Sequence, residues 1–395
     1  MTSLAGGSVA PHLRVLRLVG FCRLLAPAGR AAPSLARRLH ALYCTFALAV
    51  TSLYLVQECF YAYQERYDMD KLARVMFLLL CHVTSITKQL VFYVDAADID
   101  DMVFGLDEPL YNQGPSWQRA ALARTAAAAR RLLRAYSGTA VLTCTLWIIF
   151  PILDYARGLP VEFPFWSNLD HTKPFGFTVL LLYSYYVTTL VGIANTTMDA
   201  FMATVLYQCK TQLTILRLNL ENFTQRAVEI VKQNPGQVYD DVLNKLLIQC
   251  LMHYKHIIKT TERLQDIFGT AILVQFGIGG WILCMAAYKL ISLNILSIEF
   301  ASMTLFITCI LTELLLYCYY GNEVFVESNR LVESIYGMDW LHAPLRFKKS
   351  LVLMMERAKR PLRPAAGRVI PLSLETFVTI LKSSYTFYAV LRQTK

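Results

Sequence analysis

Seven stretches of this chain are long and apolar enough to cross a bilayer, which leaves few architectures open. A crossing helix needs about 20 mostly apolar residues. Segments 40–63, 72–94, 135–156, a run from Phe175 past Asn195, 265–291, 297–321 and 369–391 meet that need. Composition agrees: 55% of the 395 residues are hydrophobic and 17% are charged, against about 25% charged in soluble domains. The expected fold is an all-α, polytopic membrane protein with seven transmembrane helices.

The connecting segments carry the orientation signal. The first 38 residues hold six arginines and no acid, and they lack the short apolar core of a secretory signal. Lys and Arg number four in 95–131, eight in 209–263 and nine in 325–368, so one side of the bundle collects 27 and the other seven. Basic loops face the cytosol. The count therefore predicts a cytosolic amino terminus and an extracellular carboxyl terminus. The net charge of +10 is spread between apolar runs rather than gathered on one face, which suits a membrane protein and not a nucleic-acid partner.

Parts of the cytosolic segments are apolar at helical spacing: Leu213, Leu216, Leu220 and Phe223, then Leu243, Leu246, Leu247, Leu251 and Tyr254. They predict long helical extensions of the fourth and fifth spans. A shorter amphipathic stretch, 344–355, carries Phe347, Leu351 and Met354. The chain divides into 1–324, which holds the amino-terminal segment and helices one to six as a ligand-binding bundle, 325–368 as a cytosolic anchor, and 369–395 as the pore-lining outer half of the seventh helix.

Enzyme signatures are absent: no GxSxG, HExxH or phosphate-binding loop. The ten cysteines show neither CxxC spacing nor a disulfide framework, and no cofactor is expected. Gly277, Gly279 and Gly280 suit close helix packing. Ionisable residues inside spans are candidates for function. His82, Lys88 and Glu313 are open between a structural polar contact and a functional one, whereas Asp154 and Asp199 fall nearer span ends, where capping accounts for them. Trp147, Phe150, Phe177, Tyr183 and Tyr186 in the outer halves of the third and fourth spans, with Met303 and Phe306 of the sixth, form a candidate apolar ligand cavity. The last span carries Ser373, Glu375, Thr376, Thr379, Lys382, Ser383, Ser384 and Thr386. That density of polar groups suits a helix lining water or the centre of an assembly, not one facing lipid.

The final 80 residues resemble the carboxyl-terminal part of an insect odorant receptor. The resemblance rests on Tyr317-Cys318-Tyr319-Tyr320-Gly321-Asn322-Glu323, Glu327-Ser328, Ser334-Ile335-Tyr336, Asp339-Trp340, Phe347-Lys348-Lys349-Ser350-Leu351, Ala366-Gly367, Ser373-Leu374-Glu375-Thr376-Phe377 and Ser384 to Leu391. Leu159-Pro160, Phe165-Trp166 and Pro174 resemble the family's second outer loop. The resemblance implies seven helices in the orientation derived above and a heterotetramer with the odorant receptor co-receptor. It implies a small hydrophobic odorant in an outer pocket, a non-selective cation channel, and residence in the plasma membrane of olfactory sensory neurons, in contact with lipid. The family's gate pattern, Val-Leu-x-Gln, matches Val390-Leu391-Arg392-Gln393. By that match Val390, Gln393 and Thr394 belong to the pore and gate. Thr394 replaces an apolar residue of the co-receptor and Arg392 also departs from it, so the chain resembles a ligand-tuning subunit.

Three rivals stand against that reading. A G-protein-coupled receptor needs the opposite orientation, and neither Asp/Glu-Arg-Tyr nor Asn-Pro-x-x-Tyr occurs where it should. A transporter predicts internal repeats. A gustatory-type receptor channel usually ends in Thr-Tyr-x-x-Gln-Phe, where this chain has Ser384-Tyr385-Thr386-Phe387-Tyr388.

Overall fold

A computed structural model describes residues 3–23, 34–112, 114–158, 161–170, 172–291, 293–295, 297–341 and 343–393. The chain is almost entirely helical. In order the helices are α1 (Gly6–Leu18), α2 (Ser34–Gln64), α3 (Met69–Val94), α4 (Ala96–Asp107), α5 (Pro109–Asn112), α6 (Ser116–Ala156), α7 (Pro174–Glu221), α8 (Phe223–Gln233), α9 (Tyr239–Ile291), α10 (Ile298–Tyr336), α11 (Leu345–Ala358) and α12 (Leu374–Gln393). Two short strands, β1 (Ala365–Ala366) and β2 (Ile370–Pro371), pair antiparallel just before α12.

Among the described residues six helices are long and apolar enough to cross a membrane: α2, α3, α6, α7, α9 and α10. They coincide with the first six apolar runs. The seventh run became α12, which begins at Leu374 rather than 369 because the β1–β2 hairpin occupies the residues before it. The Ser373 hydroxyl accepts the Thr376 N–H at 3.2 Å and fixes that start.

At 1.5 Å per residue, the 48 residues of α7 and the 53 of α9 extend roughly 70–80 Å, more than twice a hydrocarbon core of about 30 Å. Both helices therefore run well past the membrane, carrying the Leu213 and Leu243 faces into an extended end of the molecule. Helix α10 likewise continues without a break through residues 324 and 325 to Tyr336. Helix α11 lies where the 344–355 periodicity puts a helix.

Helix α7 is the axis of the fold. From Thr196 to Leu206 every residue is buried, so this helix is covered on all sides, whereas a surface helix buries one stripe. Helices α6 and α10 flank it, α3 packs on α9, and α1 lies across α7. Helix α1 docks through Gln208 Nε2 donating to Ser8 Oγ at 2.9 Å and His12 Nε2 beside Thr204 Oγ1 at 3.4 Å. Burial pushes the His12 imidazole down to about 4, so it sits there neutral. Phe92 of α3 ties the centre together, meeting Phe201 of α7 at 5.7 Å and Phe268 of α9 at 5.3 Å. In contrast, Leu42, Phe46, Leu53, Val56 and Phe60 of α2 are exposed, an apolar stripe suited to lipid.

The hairpin is sterically tight. Gly367 and Arg368 both have positive φ, 56° and 60°, and the Gly367 N–H donates to the Gly269 carbonyl at 2.8 Å. A Cβ at Gly367 would stand 2.6 Å from Leu273, and one at Gly321 would stand 2.3 Å from the Leu372 Cβ. Glycine is required at both places for close approach. Arg368 pairs with Asp266 on α9.

Candidate ligand cavity and buried charge cluster

One end of the bundle holds a cavity of about 190 Å³, open at its mouth. Its walls follow helical periodicity. Helix α6 contributes Cys144, Trp147, Ile148 and Pro151, and α7 contributes Leu181, Ser184, Tyr185 and Thr188. Each set is spaced i, i+3, i+4, i+7, one face of a helix. Phe77 and Leu78 of α3, Tyr54 of α2, Phe150 of α6 and Ser302 and Met303 of α10 complete the wall.

The floor is a three-ring contact. Phe77 lies 6.0 Å from Trp147 and 5.1 Å from Phe306, and Trp147 lies 5.5 Å from Phe306. Tilted aromatic contacts of this kind add about 0.5–1.5 kcal/mol each beyond area burial. Segment 161–170 covers one side. Val161, Phe163 and Phe165 point in, and Glu162 and Trp166 point out, the period of an extended chain lying on a packed surface. The Trp166 N–H donates to the Gln57 carbonyl at 3.2 Å, while Phe163 and Pro164 reach the cavity. Few polar groups enter it. Tyr54 and Ser184 share a hydrogen bond at 3.3 Å, and Tyr185 meets Thr145 at 3.3 Å. Charges gather near the mouth, where Lys71 pairs with Glu162 at 3.1 Å and Lys289 with Glu299 at 3.6 Å.

Of the seven residues expected in a pocket, Trp147, Phe150 and Met303 line this cavity, and Phe306 stands behind the wall against two lining rings. Tyr183 turns instead to Tyr54 and Phe165 and donates to Gln57 Oε1 at 2.9 Å. Phe177 stacks on Tyr155 at 4.0 Å. Tyr186 is on the outer surface of α7. Sequence reading passed over Tyr54, Phe77, Ser184 and Tyr185; the i, i+3, i+4, i+7 set through Ser184 was the available signal. In the last helix, Val390 is exposed near the end of α12, Gln393 is its final residue, and Thr394 lies outside the described residues.

A second constellation lies deeper. Lys88 of α3 is fully buried, and its ammonium donates to Asn195 Oδ1 of α7 at 3.0 Å, to Asp199 Oδ1 at 2.5 Å and to Glu313 Oε1 of α10. The Tyr317 hydroxyl of α10 donates to the same Asp199 Oδ1. Lys88 and Glu313, open from sequence, thus form an interhelical polar contact. Asp199 does not cap a helix end. Because α7 continues 22 residues beyond it to Glu221, Asp199 sits in the interior of the helix at its most buried stretch. An isolated ion there costs several kcal/mol, and pairing with hydrogen bonds is what makes it tolerable. His82 has its own partner, Glu58 Oε2 of α2, at 2.8 Å. All ten cysteines are free. Among the described residues no three His, Cys, Asp or Glu side chains gather into a metal-ligating group.

Comparison with known proteins bears on this architecture. A family model described as 7tm odorant receptor matches residues 68–385. The chain is similar to odorant receptor Or1 of Anopheles gambiae, at 22% identity over 358 residues covering 86% of this chain and 85% of that one. It is 26% identical to odorant receptor 22b of Drosophila melanogaster over 181 residues, a region that spans 46% of this chain and 43% of that protein. Among solved structures, the insect olfactory receptor OR5 from Machilis hrabei in complex with eugenol superposes with a TM-score of 0.83 over 98% of both chains, at 14% identity; at that identity the likeness is one of fold. The family match covers most of the helical bundle, its walls and its buried charges, and the chain belongs to the 7tm odorant receptor family.

Proposed function

We propose that this chain is a ligand-tuning odorant receptor subunit that binds a small, mostly apolar molecule in the α2–α3–α6–α7–α10 cavity and gates a non-selective cation channel. The observation that carries this is the cavity itself. It is open at its mouth, aromatic-floored and furnished with a few hydroxyls, a make-up suited to small organic ligands. The OR5 structure of the same fold was solved with eugenol bound, which supports a small organic ligand here too.

The channel would be a heterotetramer with the odorant receptor co-receptor, in the plasma membrane of olfactory sensory neurons. The 27-to-7 asymmetry of basic residues supports a cytosolic amino terminus, which sets the cavity toward the outside and the extended end in the cytosol. The exposed apolar residues Ile248 and Met252 of α9 and Leu345, Val352 and Leu353 of α11 would meet neighbouring subunits there. The exposed Tyr385 and Val390 of α12 would face the central pore, with Val390, Gln393 and Thr394 at its gate.

Recording from cells that express this chain alone, the co-receptor alone, and both together tests the reading against a panel of volatile ligands. A ligand in the panel is expected to evoke cation current that needs both chains and differs in selectivity from the co-receptor alone. Robust ligand-evoked current from this chain by itself overturns the tuning-subunit assignment.

A further inference from the structure

The buried cluster has an imbalance in its formal charge. Lys88 brings one positive charge, and Asp199 and Glu313 bring two negative ones if both are ionised. Lys88 and Asp199 are 0% exposed and Glu313 1%, so water does not screen a surplus charge, and uncompensated burial costs several kcal/mol. Among the described residues no further cation faces the cluster. The titratable groups facing the cluster are Cys81 of α3, Tyr136 of α6, and Cys309 and Tyr317 of α10, all neutral in their ordinary protonated forms.

The two carboxyl groups are not equivalent. Asp199 Oδ1 accepts two donors, the Lys88 ammonium and the Tyr317 hydroxyl. Glu313 accepts from Lys88 alone. Asp199 Oδ2 is buried with no donor assigned to it, and the Glu313 carboxyl is held beside Asp199 on the same Lys88 ammonium. Two carboxylates cannot bond to each other without a proton between them.

We propose that Glu313 is a proton-binding site, a neutral carboxylic acid whose O–H donates to the Asp199 carboxylate and leaves the Lys88–Asp199–Glu313 cluster with no net charge. The bound proton ties α10 to α7, as the ammonium ties α3 to both. The three helices run in the same direction from the cavity. Leu78, Thr188 and Met303 on the cavity wall precede Lys88, Asp199 and Glu313 by ten, eleven and ten residues, about 15 Å along each helix. The proton therefore sits where the three helices that line one side of the cavity are locked to one another. This assignment does not depend on which ligand binds or on whether the assembly conducts.

Infrared difference spectroscopy on the purified full-length chain, in H₂O and D₂O, tests it. Subtracting the Glu313→Gln spectrum from the wild type is expected to leave a carboxylic C=O band that shifts in D₂O. Asp199→Asn is expected to lose the same band, because Glu313 then ionises as the sole counter-ion of Lys88. A difference spectrum with only a carboxylate band for Glu313→Gln, or a carboxylic band that survives Asp199→Asn unchanged, overturns the proposal. Should Asp199→Asn fail to fold, Glu313→Gln still decides whether Glu313 carries the proton.

Discussion

Helices α3, α7 and α10 build two very different places. At one end their side chains line an open, aromatic cavity with scattered hydroxyls. About 15 Å further along the same helices converge on Lys88, Asp199 and Glu313, sealed from water and linked by direct hydrogen bonds. Apolar walls adapt to shape, because dispersion contacts are individually weak and undirected. A buried charge network tolerates almost no rearrangement, because each broken bond leaves an unpaired ion. A helix soft at one end and pinned at the other can receive a ligand without losing its register with its neighbours.

Substitutions can break this contrast. Lys88→Met should have the largest effect. It strands two acids in a dry interior, and removing one partner of a buried pair costs about 3–5 kcal/mol. A thermal-unfolding assay on the purified protein should show the loss as a clear drop in midpoint. A midpoint close to wild type would mean that the cluster is not the rigid end.

Trp147→Ala should fall between. It removes two ring contacts within the cavity floor, about 1–3 kcal/mol together, and the indole face itself; losing about 1.4 kcal/mol of ligand contact there is about a tenfold loss of potency. Dose–response curves of the co-expressed complex measure it, and unchanged potency across every active ligand would move the binding site elsewhere. Glu162→Gln should be smallest. The Lys71–Glu162 pair is partly solvated, with side chains 30% and 42% exposed, and such pairs contribute about 0–1 kcal/mol. Its effect on ligand response should stay under roughly fivefold and shrink further at high salt; a large, salt-independent loss would show the rim to be part of the binding wall.

How much of this was legible in the sequence depended on whether the signal was local. The six long spans and the extensions of α7 and α9 could be read because apolar periodicity persists along one helix. The helices α1 and α4 went unseen because each is short and is held by its contacts with the rest of the molecule: Ser8 and His12 of α1 reach α7, 192 to 200 residues away. Asp199 was placed near a span end because hydropathy marks where apolar character fades, not where a helix stops; α7 simply continues. Glu58 drew no notice, yet its carboxyl is the partner of His82 at 2.8 Å. A Lys, two acids and a His embedded in apolar runs predict pairing in general, but helix rotation decides who pairs with whom, and one sequence does not reveal rotation. The cavity divided the same way. Trp147 and Met303 stood out as large apolar residues, whereas Ser184 and Thr188 needed the face of α7 to be known.

The hairpin before α12 has a mechanical consequence. Residues 365–372 are clamped to α9 by the Gly367–Gly269 hydrogen bond and the Arg368–Asp266 pair, and to α10 by the close approach of Leu372 to Gly321. The described part of α12 then runs 20 residues from that clamp, about 30 Å, steadied partway up where Phe387 stacks on Trp281 at 5.2 Å. A beam fixed at its base turns a small rotation there into a larger sweep at its tip. A tilt of one degree at the hairpin carries the end of α12 about half an ångström by this lever arm. A shift of α9 against α10 would therefore reach the last turns of α12 by two routes, the hairpin clamp at its base and the Phe387–Trp281 stack.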